Sequence, residues 1–158
     1  MKKIVLAAAA SLLFATPAFA AGFAGPRIGA TVGIAGDDVF DTDSATFGIE
    51  AGYDWDLGKA VAGVQVEYQN DFDGDLGHEL AATARIGGKV NENALIYVTG
   101  GYSRFDVGPF SLDGVRGGIG AEFAVGTSGA NIKVEQRYAN YELGAELFQT
   151  VVGVGFRF

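Results

Sequence analysis

The sequence predicts an all-β protein, an eight-stranded antiparallel up-and-down barrel that crosses a membrane. Three observations predict it. Eight stretches alternate apolar and polar residues with the two-residue period of a strand. Beyond the first twenty residues no apolar run reaches the ~20 residues of a spanning helix, yet 49% of residues are hydrophobic and the mean hydropathy is +0.22. Many of the 25 glycines fall on the polar face of the strands, where small side chains suit a narrow interior. A barrel reconciles these facts, because its lipid-facing residues are interleaved with interior ones and never form a continuous run.

Residues 1–20 read as a cleavable export signal. Lys2 and Lys3 give a positive start, Ile4 to Leu13 is a short apolar run, and Ala18-Phe19-Ala20 suits small-residue cleavage. The run is too short for a membrane anchor. The expected organisation is a signal at 1–20 and one barrel domain at 21–158, whose 138 residues suffice for one domain and not two. Removing Lys2 and Lys3 leaves nine Lys and Arg against nineteen Asp and Glu, a formal charge of −10. So acidic a chain is no nucleic-acid binder, since phosphate contacts need a basic surface. With no cysteine, disulfides and thiolate metal sites are excluded.

The strands follow in order. The first sets Ile28, Ala30, Val32 and Ile34 against Arg27, Gly29, Thr31 and Gly33. In the second, Phe47, Ile49, Ala51, Tyr53 and Trp55 alternate with Gly48, Glu50, Gly52 and Asp54. The third opposes Ala62, Val64, Val66 and Tyr68 to Gly63, Gln65, Glu67 and Gln69. The fourth opposes Leu80, Ala82, Ala84 and Ile86 to Glu79, Thr83, Arg85 and Gly87. The fifth, near Leu95 to Phe105, has the weakest alternation, with Ile96, Val98, Gly100 and Tyr102 assigned outward. The sixth places Val115, Ile119, Ala121, Phe123 and Val125 against Arg116, Gly118, Gly120 and Glu122. The seventh places Ile132, Val134 and Tyr138 against Lys133, Glu135 and Arg137, and the eighth places Phe148, Val152, Val154, Phe156 and Phe158 against Gln149, Gly153, Gly155 and Arg157. Eight is an even number, as a single-chain outer-membrane barrel requires.

The connections are expected to alternate in length. Asp56 to Lys59, Asn91 to Asn93 and Gly126 to Ala130 read as tight turns. Ala35 to Ser44, Asn70 to Gly77, Asp106 to Asp113 and Glu142 to Glu146 read as longer, acidic loops. Such a pattern puts both termini in the periplasm.

Alternation alone does not say whether the apolar face meets lipid or a soluble core, as in a secreted lipocalin-like barrel. The glycines decide in part, because a solvent-exposed face has no use for residues that weaken strands. The aromatics decide the rest. Tyr53, Trp55, Phe123, Phe156 and Phe158 gather at the periplasmic strand ends, and Phe47, Tyr68, Tyr102, Tyr138 and Phe148 near the outer ends. Two such girdles mark two lipid–water interfaces.

The leader, the eight alternating strands and the terminal Phe158 resemble the small outer-membrane β-barrel superfamily: the OmpA transmembrane-domain, OmpX and opacity-type "porin family" proteins. Tyr97 to Tyr102 (Tyr-Val-Thr-Gly-Gly-Tyr) and Val134 to Tyr138 (Val-Glu-Gln-Arg-Tyr) look like strand sequences of opacity-type members. The resemblance implies a bacterial outer-membrane location in a Gram-negative envelope. It also implies that the barrel-assembly machinery reads the C-terminal strand through Phe156 and Phe158, with Val154 and Val152 before them. Unlike OmpA itself, the chain is expected to carry no second, peptidoglycan-binding domain.

The lumen is expected to hold seven cations (Arg27, Arg85, Lys89, Arg116, Lys133, Arg137, Arg157) and six anions (Glu50, Asp54, Glu67, Glu79, Glu122, Glu135). Buried charges must be paired, so the expected interior is a charge-paired plug. A small gated channel for ions or small solutes is the alternative, since open porins need 16–18 strands. The acidic loops carry Asp37, Asp38, Asp41, Asp43, Asp71, Asp73 and Asp75, with Asp106, Asp113, Glu142 and Glu146 at the others. They could hold divalent cations that bridge to lipopolysaccharide, or serve as an adhesin surface; a solvated acidic rim is the simpler expectation. Asp71-Phe-Asp73-Gly-Asp75 begins like an EF-hand loop, but Leu76 stands where Gly belongs and Ala82 where the bidentate Glu belongs. The only histidine, His78, has Glu79 beside it, and Ser44, Ser103 and Ser111 lie toward the same side. No nucleophile–base signature surrounds it, and no cofactor motif is present. The expectation is a non-catalytic barrel that contributes to envelope structure and integrity, partnered by outer-membrane lipid and lipopolysaccharide.

Overall fold

The computed structural model describes residues 22–37, 42–72 and 77–158. Eight strands run in order: β1 (Gly25–Asp37), β2 (Thr42–Asp56), β3 (Ala60–Asp71), β4 (His78–Asn91), β5 (Ala94–Val107), β6 (Phe110–Val125), β7 (Ala130–Tyr141) and β8 (Glu146–Arg157). Each pairs antiparallel with its sequence neighbours, and β1 pairs with β8, so the sheet closes. Every strand thus has two hydrogen-bonded partners, which satisfies the backbone without water. The predicted fold class is the observed one.

Strand faces follow parity. Ile28, Val32, Ile49, Val66, Ile86, Val98, Ile119 and Val154 are exposed on the outside. Their sequence neighbours Arg27, Thr31, Glu50, Gln65, Arg85, Tyr97, Gly120 and Gly153 are buried inside. The fifth strand obeys the predicted assignment, with Ile96, Val98 and Tyr102 out and Leu95, Tyr97 and Ser103 in.

The loops differ from expectation. Strands of 12 to 16 residues run past the membrane and absorb much of what reads as loop. The Asp106 to Asp113 stretch is strand apart from Gly108 and Pro109. Cross-strand polar pairs hold it: Arg104 Nε donates to Asp113 at 3.0 Å, and Ser111 donates to Asp106. Gly108 adopts the positive φ of 56° that so tight a hairpin turn demands. The fourth loop is a single turn of 3-10 helix, Glu142–Gly144. The two ends of the barrel therefore differ little in connection length. The start of β1 and the end of β8 lie at the end with the turns after β2, β4 and β6, the periplasmic end for this class of barrel.

Candidate functional site

The lumen is the candidate site. Its inward positions bring together Arg27, Glu50, Asp54, Glu67, Arg85, Arg116, Glu122, Lys133, Glu135, Arg137 and Arg157, with Glu79, all buried. They form one continuous network. At the periplasmic end Asp54 is its hub. Arg85 grips both Asp54 oxygens at 2.8 and 2.6 Å, Arg157 donates at 2.8 Å, and Arg27 Nε lies 3.1 Å away. Arg85 and Arg157 also share Glu122, the former at 2.8 Å.

From the hub the chain of charges climbs the barrel. Arg27 donates to Glu50 at 3.0 Å and to the Gln65 carbonyl at 2.5 Å. Lys133 reaches across from β7 to Glu50. Glu135 lies 3.9 Å from Lys133 and accepts from Arg137 at 2.7 Å and from Tyr97 at 2.8 Å. Arg137 continues to Glu67 at 2.9 Å. Arg116 then bridges Glu67 at 2.6 Å and Glu79 at 3.1 Å, and Ser103 and Tyr141 cap Glu79. Six cations meet six anions within this network; Asp71, buried at the outer end of β3, is a further buried carboxylate beside it. Charge-assisted bonds of this kind are the strong class, and bidentate guanidinium pairing fixes geometry as well as charge.

The backbone makes room for these side chains. At Gly63 a Cβ would collide with the Asp54 carboxylate and would stand 2.9 Å from the Tyr53 carbonyl. At Gly120 it would stand 2.6 Å from the Tyr97 ring and hydroxyl. These glycines are what let two bulky groups cross a narrow interior.

Lys89 is a correction to the predicted lumen set. It has the inward parity but sits at the periplasmic rim, where its amine donates to both oxygens of Asp56 at 2.7 Å. Four residues past Arg85, the last lumen charge of β4, it has reached the rim. Without Lys89 the network itself is balanced, six cations against six anions.

Other lumen groups lay outside the predicted site. Phe23, Val61, Leu95 and Tyr97 form an apolar cluster beneath the charges. Phe23 lies under the Arg157 guanidinium, 5.5 Å from ring centroid to Cζ. Tyr97 lies under Arg85 at 4.9 Å. Parity places Tyr97 inside, because Ile96 and Val98 flank it. Nothing in the sequence places Phe23, which precedes the first strand.

The predicted girdle residues Tyr53, Trp55, Tyr68, Tyr102, Phe123 and Tyr138 are exposed on the outer wall, and Phe156 is half-buried there. Tyr53 packs on Trp55 at 5.3 Å between centroids, and Tyr138 on Phe148 at 5.0 Å. At the C-terminus Phe156 meets Phe158 edge-on at 5.2 Å, and the Phe158 amide donates to the Pro26 carbonyl at 3.1 Å. Asp71 is buried at the outer end of β3; Asp73 and Asp75, like Asp38 and Asp41, lie outside the described residues. Among the described residues no cluster of three or more His, Asp or Glu is arranged to hold a metal ion. His78 Nε2 stands 3.4 Å from Asp106, whose other oxygen accepts from Ser111. The carboxylate thus separates the histidine from that serine. Ser103 faces the lumen instead.

Comparison with known proteins adds a family. A family model described as outer membrane protein beta-barrel domain matches residues 6–158. No curated protein matches. Among solved structures, the N-terminal β-barrel domain of Pseudomonas aeruginosa OprF superposes with a TM-score of 0.67 at 15% identity, over 86% of this chain and all of that one. Neisserial surface protein A gives 0.59 at 14% identity, over 84% of this chain and 96% of that one. The attachment invasion locus protein Ail of Yersinia pestis gives 0.59 at 16% identity, over 85% and 97%. At such identities the likeness is one of fold.

Proposed function

The chain belongs to the family of outer membrane protein β-barrel domains, and on that premise we propose that it is a non-catalytic structural barrel of the bacterial outer membrane. The unbroken network of six cations and six anions across the lumen carries this reading. Eight strands enclose just enough space for side chains, and here that space is held by paired charge. Opening a water path would mean separating buried pairs, at about 3–5 kcal/mol for each partner stranded. The barrel contributes to envelope integrity as a rigid body seated in lipid.

Its partners on this reading are outer-membrane lipid and lipopolysaccharide around the wall. The assembly machinery reads Phe156 and Phe158, and divalent cations gather at the acidic outer rim. The order Ser111–Asp106–His78 supports a non-catalytic assignment, because a hydrolytic triad needs the histidine between the acid and the nucleophile. Short outer connections weigh against an adhesin, which needs a broad loop surface to grip a receptor.

Single-channel recording of the refolded chain in a planar bilayer tests the proposal, after a heat-shift gel has shown a closed barrel. The expected record is silent or shows rare, brief events. A steady conductance that disappears on unfolding would overturn the plug and make the lumen charges a permeation path.

A further inference from the structure

The outer wall is apolar between its two aromatic girdles, with one exception. Among the described outward-facing residues of that band, Gln136 on β7 and Thr150 on β8 alone carry polar side chains. They are register partners in the β7–β8 ladder. Thr150 Oγ1 donates to Gln136 Oε1 at 2.7 Å, and both residues are exposed. The next pair outward is Tyr138 and Phe148, of the outer girdle. Two residues of a tilted strand rise about 5 Å along the membrane normal, so the polar pair lies that far inside the lipid. The next pair inward is Val134 and Val152, both exposed.

The Gln136–Thr150 bond leaves two capacities unmet. The Gln136 amide nitrogen has no partner among the described residues, and the Thr150 oxygen accepts no bond there. In hydrocarbon no water is present to supply them. One set of groups would supply both at once: the same two residues on another molecule. A two-fold axis along the membrane normal, beside the β7–β8 seam, sets β7 of one copy against β8 of the other at equal height. Gln136 then donates to Thr150 of the second copy, and the second copy's glutamine returns the bond. Tilted strands of two barrels cross where they touch, so the contact concentrates on one row. The aromatic pair above and the valine pair below would close over it. Lipid ester carbonyls could take the amide protons but have no donor for the hydroxyl oxygen.

We propose that Gln136 and Thr150 join two copies of this chain side by side within the membrane. The chain has no cysteine, so an Asn93→Cys variant can carry a single dye on a periplasmic turn. Donor- and acceptor-labelled copies are refolded together in phosphatidylcholine vesicles, and energy transfer is followed as lipid dilutes the protein. Transfer should fall through a midpoint. Gln136→Leu and Thr150→Val should each move that midpoint to about tenfold higher protein density or more, while Ile49→Val on another wall leaves it in place. Both polar replacements remain on the lipid face, so a heat-shift gel should still report a closed barrel. A wild-type chain that is monomeric at every density, as when the row is occupied by lipid, overturns the proposal. So does a midpoint that neither variant moves.

Discussion

At the scale of single residues, Asp54 bears the heaviest duty. One buried carboxylate stands against three guanidinium groups, from β1, β4 and β8. Replacing it by the isosteric amide strands positive charge in a closed space. Asp54→Asn should therefore lose about 3–5 kcal/mol, read as a lower urea midpoint in lipid vesicles; an unchanged midpoint would mean that Glu122 and Glu50 alone can hold the three arginines. Gly63 belongs to the same site, because the carboxylate occupies the space of its missing side chain. Gly63→Ala should cost about 1–3 kcal/mol through overpacking, and the double variant with Asp54→Asn should cost less than the sum, since the two act on one volume. Residue parity in the sequence placed both on the inner face. It said nothing of their meeting, because β2 and β3 come into register only through the sheet.

Elements show where local chemistry ends and packing begins. Alternation locates all eight strands but stops short of their outer ends, where polarity imitates a loop. In the β5–β6 hairpin, the pairs Arg104–Asp113 and Asp106–Ser111 extend a ladder that hydrophobicity does not mark. At the other end, Lys89 closes β4 onto the end of β2. Its hydrogen bonds, with help from the Gly58 amide, hold the Asp56 carboxyl below its ordinary value of 3.8. A carboxyl depressed on folding adds stability above its unfolded pKa, and that contribution is lost as pH falls through the folded value. The stability difference between wild type and Asp56→Asn should thus be small at neutral pH, as for exposed pairs generally, and vanish in acid below 3.8. A difference that persisted in acid would show that the turn geometry, and not the charge, is responsible.

For the whole molecule, closure is the decisive property. The β1–β8 ladder runs from Arg27↔Arg157 to Gly36↔Phe148 and leaves no strand edge in the lipid. Each unpaired backbone group in hydrocarbon would cost several kcal/mol. Truncation after Ala145 removes β8 and exposes β1 and β7 together. The shortened chain should give no compact band on a heat-shift gel and should aggregate. A compact, heat-shifting product would show that seven strands can reclose. Closure also makes the interior what it is, since side chains from all eight strands must share one narrow space.

The sequence by itself determined the fold class, the strand count, which face of each strand meets lipid, and the supply of buried charges, because all of these follow from a two-residue period and a membrane's demand for a closed sheet. Tertiary structure alone decided who pairs with whom. Arg27, Arg85 and Arg157 lie far apart in the chain, and only the register of a closed barrel brings them onto one aspartate. The rim position of Lys89, the apolar cluster of Phe23 with Val61, Leu95 and Tyr97, and the polar break at Gln136 and Thr150 were decided the same way. Each depends on how high a residue sits in the barrel and what stands opposite, and neither quantity is written in a strand's own alternation.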